Sequence, residues 1–320
     1  MVEMTPRERV LSALNHKEPD RVPLDFGSTA VSSIVQQAYE KLKAHLGIKS
    51  ETKILGKQGM VACVDEEILK LFKIDTRSFS LGAPSRWKDI PLEGDAYRDE
   101  WGIEWRRPPG TNSYFHEKGG LEEAEDTIRE LERYPWPDPT DPGRYEGLKE
   151  KARKLHEGTD YAVIFLPSAT FFADSQWLRG FEKFYTEMVT SPSFIEALMD
   201  KVLEIKLEMI GRAFEEVKGY VDVVMMGDDI GVQNGPMMSL EMYRKLLKPR
   251  QARLVEHIKK CSGGAKVLHH CCGSIYSFLR EFIELGIDAI HPVQVSARDM
   301  GDTKRLKREF GGELAFWGAI

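Results

Sequence analysis

The chain has 320 residues, 42% of them hydrophobic and 30% charged, which describes an ordinary globular protein with room for a large core. A net charge of −6 and a pI near 5.9 argue against a nucleic-acid binder, which normally carries a basic face. The charged start "MVEMTPRERV" does not read as a signal peptide, no apolar run approaches the roughly 20 residues of a membrane span, and four cysteines are too few for a disulfide framework. A cytosolic location with reduced thiols is the expectation, and there a Cys/His cluster points to metal binding or catalysis.

The opening "TPRERVLSALNHKEPDRVP" reads as a helix with Thr5 at the N-cap, Pro6 in the first turn and Glu8 completing a capping box. "RVPLDFG" follows as a first buried strand. From about 85 to 145 the pattern changes. "WKDIPLEGDAYRDEWGIEWRRPPGTNSYF" alternates aromatic and charged residues, as in a hairpin-like insertion, and "YPWPDPTDPGRY" holds too many prolines for a helix or a central strand.

After residue 146, amphipathic helices alternate with short apolar strands, the pattern of βαβ units and a parallel sheet. Strands are expected at 22–26, 54–63, 76–80, 161–166, 221–226, 266–271, 288–292 and 314–319. Eight strands suggest an α/β fold of the (β/α)₈ barrel type with an insertion around 85–145, with a doubly wound sheet as the alternative. The sequence ends with the last strand, so the final helix of such a barrel is expected to be missing, through an unusual closure or a shortened chain.

"KVLHHCCGSI" (266–275) places two histidines and two cysteines in adjacent positions. Along a strand, side chains alternate, so His270 and Cys272 share one side, while His269 and Cys271 face the other as structural groups. Gly273 ends the strand and Ser274 is the expected cap of the next helix. The cluster thus falls at the C-terminal end of a strand, the rim where α/β barrels place their sites. His-x-Cys offers one nitrogen and one thiolate to a borderline ion such as Zn²⁺.

Other strand ends supply further candidates. Asp228 and Asp229, after "VDVVMMG", are candidate catalytic residues with His270, able to hold a cationic group, position a proton or bind a metal. Gln233, Asn234, His291 and Gln294 are candidate substrate-binding groups, as is Asp25 at the end of the first strand. The methionines at 225, 226, 237 and 238 suit packing or a pocket for a flat ligand.

Several segments together resemble the uroporphyrinogen decarboxylase superfamily: "TPRERVLSALNHKEPDRVP", "DDIGVQNGPMMSLEMYRKLLKPR", "LHHCCGSI", "IHPVQVSARDM" and "LKREFGGELAFWGAI". The resemblance implies a single (β/α)₈ barrel domain over 1–320. It is greater to the corrinoid-dependent methyltransferase branch than to the haem-pathway decarboxylase. The decarboxylase has an arginine-rich "RQAGRY"-type segment that clamps propionates, whereas this chain reads "RVPLDFGSTAVSSI". The implied activity is methyl transfer between a corrinoid and a thiol, folate or methylated small substrate. Zinc members use a His-x-Cys pair, matched by His270 and Cys272, plus a distant downstream cysteine; the third ligand here is therefore absent or is His291. A metal-free form would hold a methylated amine or ether through Asp228 and Asp229. The implied partners are a corrinoid protein or free cobalamin, a small methyl donor or acceptor and, as in many barrels, a second copy in a homodimer. The alternatives are a cofactor-free decarboxylase acting on a porphyrinogen or another acid, and a non-catalytic corrinoid-binding barrel.

Overall fold

The structure, a computed structural model, describes residues 3–319. Helix α1 (Pro6–Leu14) begins with the expected capping box: the Thr5 hydroxyl accepts from the Glu8 N–H, and the Glu8 carboxylate accepts from the Thr5 N–H. An extended stretch then leads to α2 (Gln36–Leu46), the short strands β1 (Ile54–Gly56) and β2 (Val61–Ala62), α3 (Glu66–Leu71) and β3 (Thr76–Ser80). Segment 54–63, expected as a barrel strand, is instead an antiparallel β1–β2 hairpin outside the main sheet. It packs with α2 and α3 over a small separate core that includes Tyr39, Ala62, Ile68 and Leu69. Local apolar runs of this length do not reveal which partner they pair with.

The insertion is a four-stranded antiparallel sheet of β4 (Ile90–Leu92), β5 (Ala96–Arg98), β6 (Glu104–Arg106) and β7 (Phe115–Lys118) in sequential order. Its apolar residues, Tyr97, Trp101, Ile103 and Trp105, join the main core. The polar, proline-rich stretch behind α4 (Ile128–Arg133) carries only a single 3₁₀ turn, as its composition requires.

From α5 (Leu148–Gly158) onward, strands and helices alternate. In order they are β8 (Ala162–Ala169), α6 (Phe172–Arg179), α7 (Phe181–Thr190), α8 (Pro192–Val217), β9 (Val223–Gly227), the small β10 (Gly231–Val232) and β11 (Gly235–Pro236), and α9 (Leu240–Met242) running through a π-turn into α10 (Lys248–Ser262). Then come β12 (Lys266–His270), α11 (Leu279–Glu284), β13 (Ala289–His291), α12 (Thr303–Phe310) and β14 (Ala315–Phe316). Six strands form one parallel sheet in the order β14-β13-β12-β9-β8-β3. Ser274 does not cap the following helix; that helix starts with a 3₁₀ turn at Tyr276–Phe278 whose first residue has no side-chain cap.

Strand alternation divides the core in two. Val163, Phe165, Val224, Met226, Val267 and Ile290 face the helices, while Ala162, Ile164, Val223, Leu268 and Ala289 face inward. The inward alanines leave room for Val10 and Leu14 of α1, which complete that inner cluster. Arg7 holds α1 at the N-terminal ends of the strands by bonding the carbonyls of His156, Thr159 and Tyr161, just ahead of β8. One end of the sheet is thus plugged, and the C-terminal ends stay available.

Segment 22–26, expected as the first strand, forms no ladder; it holds to β3 through bonds between Leu24 and Asp75. Its Asp25 carboxylate accepts from Thr76 of β3 (2.8 Å) and from the indole of Trp317, just past β14 (2.9 Å). These are the two outermost strands, which a flat sheet would hold about 24 Å apart, five spacings of ~4.8 Å. One carboxylate reaching both means that the sheet curls round on itself, as barrel geometry demands.

Candidate active site and metal-binding group

Parallel pairing aligns His270 of β12 with Gly227 of β9 on one side and His291 of β13 on the other. A Cβ at Gly227 would lie 3.0 Å from the Cβ of His270, so glycine makes room for the imidazole. Two residues further along both chains, Asp229 stands opposite Cys272, on the same inward side as His270. The Cys272 N–H donates to the Asp229 carboxylate (2.7 Å). Gly273, at φ +85°, turns the chain sharply; a side chain there would strike the backbone of Gly231.

The result is a three-residue group. Cys272 Sγ lies 3.4 Å from His270 Nε2, Asp229 Oδ1 lies 3.7 Å from that same nitrogen, and the three ligand atoms fall within 4.8 Å of one another. Bonds of about 2.0–2.3 Å at tetrahedral angles place ligand atoms roughly 3.4–3.7 Å apart. One oxygen, one nitrogen and one sulfur therefore fit a zinc-class ion, leaving a fourth position for substrate. Asp229 is 46% exposed and His270 15%, which puts the group at the boundary of interior and solvent.

His291 is not in this group. Its Nδ1 sits 2.8 Å from His270 Nδ1, on the far side of the ring from Cys272. Burial, followed by the neighbouring His270, lowers its pKa to about 4, and burial also lowers that of His270 against the pull of Asp229. Burial, with Asp229 adding, pushes the Cys272 thiol up to about 12.

The remaining candidates separate by face. Asp228 points into the helix layer, where its carboxylate accepts from the N–H groups of Ala173 (2.8 Å) and Phe171 (3.4 Å) at the start of α6. It anchors a helix and lies outside the Asp229–His270–Cys272 group. Burial raises its carboxyl to about 8, over the opposing backbone bonds. An acid raised on folding stabilises the fold fully below the unfolded value near 4 and loses that contribution as pH rises through about 8. Thermal melts should show the unsubstituted protein losing stability from pH 5 to pH 8 relative to Asp228→Asn; parallel curves would refute this.

Gln294 accepts from the Gly273 N–H and donates to Gln233, which in turn donates to the Ser296 carbonyl. These amides are spent joining the loops after β9, β12 and β13, and Arg298 reaches the Asn234 carbonyl beside them. Asn234 itself is exposed. Asp25, as described above, bridges the sheet edges and also accepts from Ser28. His269 and Cys271 face the helices as expected: His269 is fully buried edge-on to Phe282, and Cys271 is buried in the main core. Met226 and Met238 join the same core, and the sulfur of Met237 accepts from Tyr185.

Two features escape a reading of the sequence by strand ends. Asp229 as the third member of the group follows from register, which pairs 227 with 270 and so 229 with 272. Lys206 of α8 is buried, paired with Asp174 at 2.7 Å and bonded to Ser168 within the bulge of β8. Its only signal was a lysine on an apolar helix face.

Comparison with known proteins agrees with this architecture. A methyltransferase from Methanosarcina mazei shares the fold with a TM-score of 0.61 and 16% identity, covering 98% of this chain and 82% of its own. No curated protein sequence matches. The family model for uroporphyrinogen decarboxylase (URO-D) matches residues 110–319, which include β8 to β14 and the whole Asp229–His270–Cys272 group. The chain therefore belongs to the uroporphyrinogen decarboxylase family, with the α/β barrel fold of that family.

Proposed function

We propose that this protein is a methyltransferase that moves a methyl group from a methyl-corrinoid to a thiol, with a zinc ion held by Asp229, His270 and Cys272. The observation that carries the reading is the O, N, S donor set on one inward face, within 4.8 Å and only partly buried. When bound, the ion supplies Lewis acidity that keeps an incoming thiol ionised near neutral pH. Cys272 gives up its proton on binding, and Asp229 closes the group from the β9 side. The acceptor sulfur bonds the methyl carbon as the carbon–cobalt bond breaks, the electron pair leaving with the corrinoid. The donor arrives free or on a partner protein, at the C-terminal ends of the strands.

The name of the Methanosarcina neighbour favours transfer of methyl groups, and the description of the family model favours decarboxylation. Arg21, which directly precedes the first strand segment, donates through both terminal guanidinium nitrogens to Asp75 and so is not free to clamp a polycarboxylate. The two activities separate in one experiment. Metal-loaded protein is incubated anaerobically with methylcobalamin and an alkanethiol, and in parallel with uroporphyrinogen. Thiol-dependent loss of methylcobalamin, abolished in Cys272→Ala, supports the proposal. Conversion of uroporphyrinogen to coproporphyrinogen without demethylation of methylcobalamin sinks it.

A further inference from the structure

Building on the metal reading above, we propose that His291 is a positioning residue: its bare Nδ1 accepts the Nδ1–H of His270 and thereby turns the other ring nitrogen of His270 toward the ion. The two imidazoles stand on neighbouring parallel strands at the same register, ring centroids 5.1 Å apart and planes tilted by 37°. Two ring nitrogens 2.8 Å apart share one proton, so one donates and the other accepts.

Only two arrangements exist for neutral rings. If His291 carried the shared proton, His270 Nδ1 would be bare and its own proton would sit on Nε2, aimed at Cys272 and Asp229. That arrangement blocks the ligand atom. If His270 carries it, Nε2 is bare, 3.4 Å from Cys272 Sγ and 3.7 Å from Asp229 Oδ1. The second arrangement obliges His291 to keep its own hydrogen on Nε2. No hydrogen bond engages that atom among the described residues, so no neighbouring group opposes a hydrogen there.

The backbone carrying His291 is fixed from both sides. Its carbonyl accepts from Cys271 N–H at 2.8 Å, and the preceding Ile290 carbonyl accepts from Trp317 N–H at 2.9 Å. A ligand histidine whose second nitrogen is held in this way binds through a single tautomer and is the stronger base. Removing such a partner weakens metal binding about 10–100-fold.

The test is a Co²⁺ titration of the purified protein followed by visible absorption, with His291→Asn and His291→Leu alongside. Asparagine places an amide oxygen near the position of Nδ1, so its affinity is expected within about threefold of the parent, whereas leucine is expected to weaken binding about 10–100-fold. Leucine binding cobalt as tightly as the parent overturns the proposal, as does asparagine binding no better than leucine. If His291→Leu fails to fold, His291→Gln decides: its amide oxygen lies one bond further out, so weakening relative to asparagine is expected and equal binding is contrary. Absence of cobalt binding in the unsubstituted protein removes the metal reading and this proposal together, a result distinct from selective indifference to residue 291.

Discussion

Cys272→Ala is expected to weaken zinc binding about 10²–10³-fold, while Cys271→Ala, one residue away, leaves it unchanged. Apparent binding energies of about 10–16 kcal/mol for four-ligand zinc sites make one ligand worth roughly 2.5–4 kcal/mol. Cys272 belongs to the inward group with His270 and Asp229, whereas Cys271 is buried in the helix-facing core, with its thiol pushed well above the usual range by that burial. Asp229→Ala should resemble Cys272→Ala. The pH dependence gives a second readout. Without metal the Cys272 thiol is raised to about 12, so at neutral pH an incoming ion must displace its proton. His270, lowered by burial, offers no such competition above neutrality. Affinity should therefore rise about tenfold per pH unit between about pH 6 and 9, and that slope should disappear in Cys272→Ala. Competition titrations against a chromophoric chelator measure both effects. Equal affinities for the two cysteine variants would contradict the assigned faces.

Asp75→Ala is expected to destabilise the fold by about 3–5 kcal/mol, the range for breaking a buried ion pair. Asp75, directly ahead of β3, is fully buried and accepts from Arg9 of α1 at 2.7 Å, from Arg21, and from the Leu24 N–H. One carboxylate thus joins the helix that plugs the barrel, the segment beside the sheet edge, and the first strand of the ladder. Its loss leaves Arg9, with a side chain 4% exposed, with Asp20 as its one remaining carboxylate partner among the described residues, beside a bond to the Met4 carbonyl. Against a typical total of about 5–15 kcal/mol this is a large fraction, readable as a shift in the denaturant midpoint. The same cluster predicts acid sensitivity. The hydrogen bond from Arg9 holds the Asp20 carboxyl well below its usual range, so its contribution is present above the unfolded value near 4 and lost as pH falls below it. An unfolding midpoint that ignores Asp75→Ala would mean that α1 is not held through this residue.

What the sequence determined by itself was everything that depends on neighbours along the chain. The capping box of Thr5 and Glu8 and the alternation of helices with apolar strands obey local rules of spacing. So do the insertion and the opposite faces of His270 and His269. What only the tertiary structure decided was set by register and closure. Residues 54–63 have a strand's composition, yet their partner is a hairpin mate rather than the main sheet. Asp228 and Asp229 are chemically identical neighbours; the pleat sends one beneath α6 and the other to Cys272, a distinction that needs the exact end of β9. His291 takes its place on the opposite nitrogen of His270 because β13 pairs in register with β12, which no spacing in the sequence encodes. Asp25, a ligand-binding candidate by its sequence position, bridges the sheet edges because the curl of the sheet brings Thr76 and Trp317, 241 residues apart in sequence, to one carboxylate. Local pattern reports which side of its own strand a residue occupies; which other strand faces it there follows from hydrogen-bond register and curvature, and these are properties of the whole sheet.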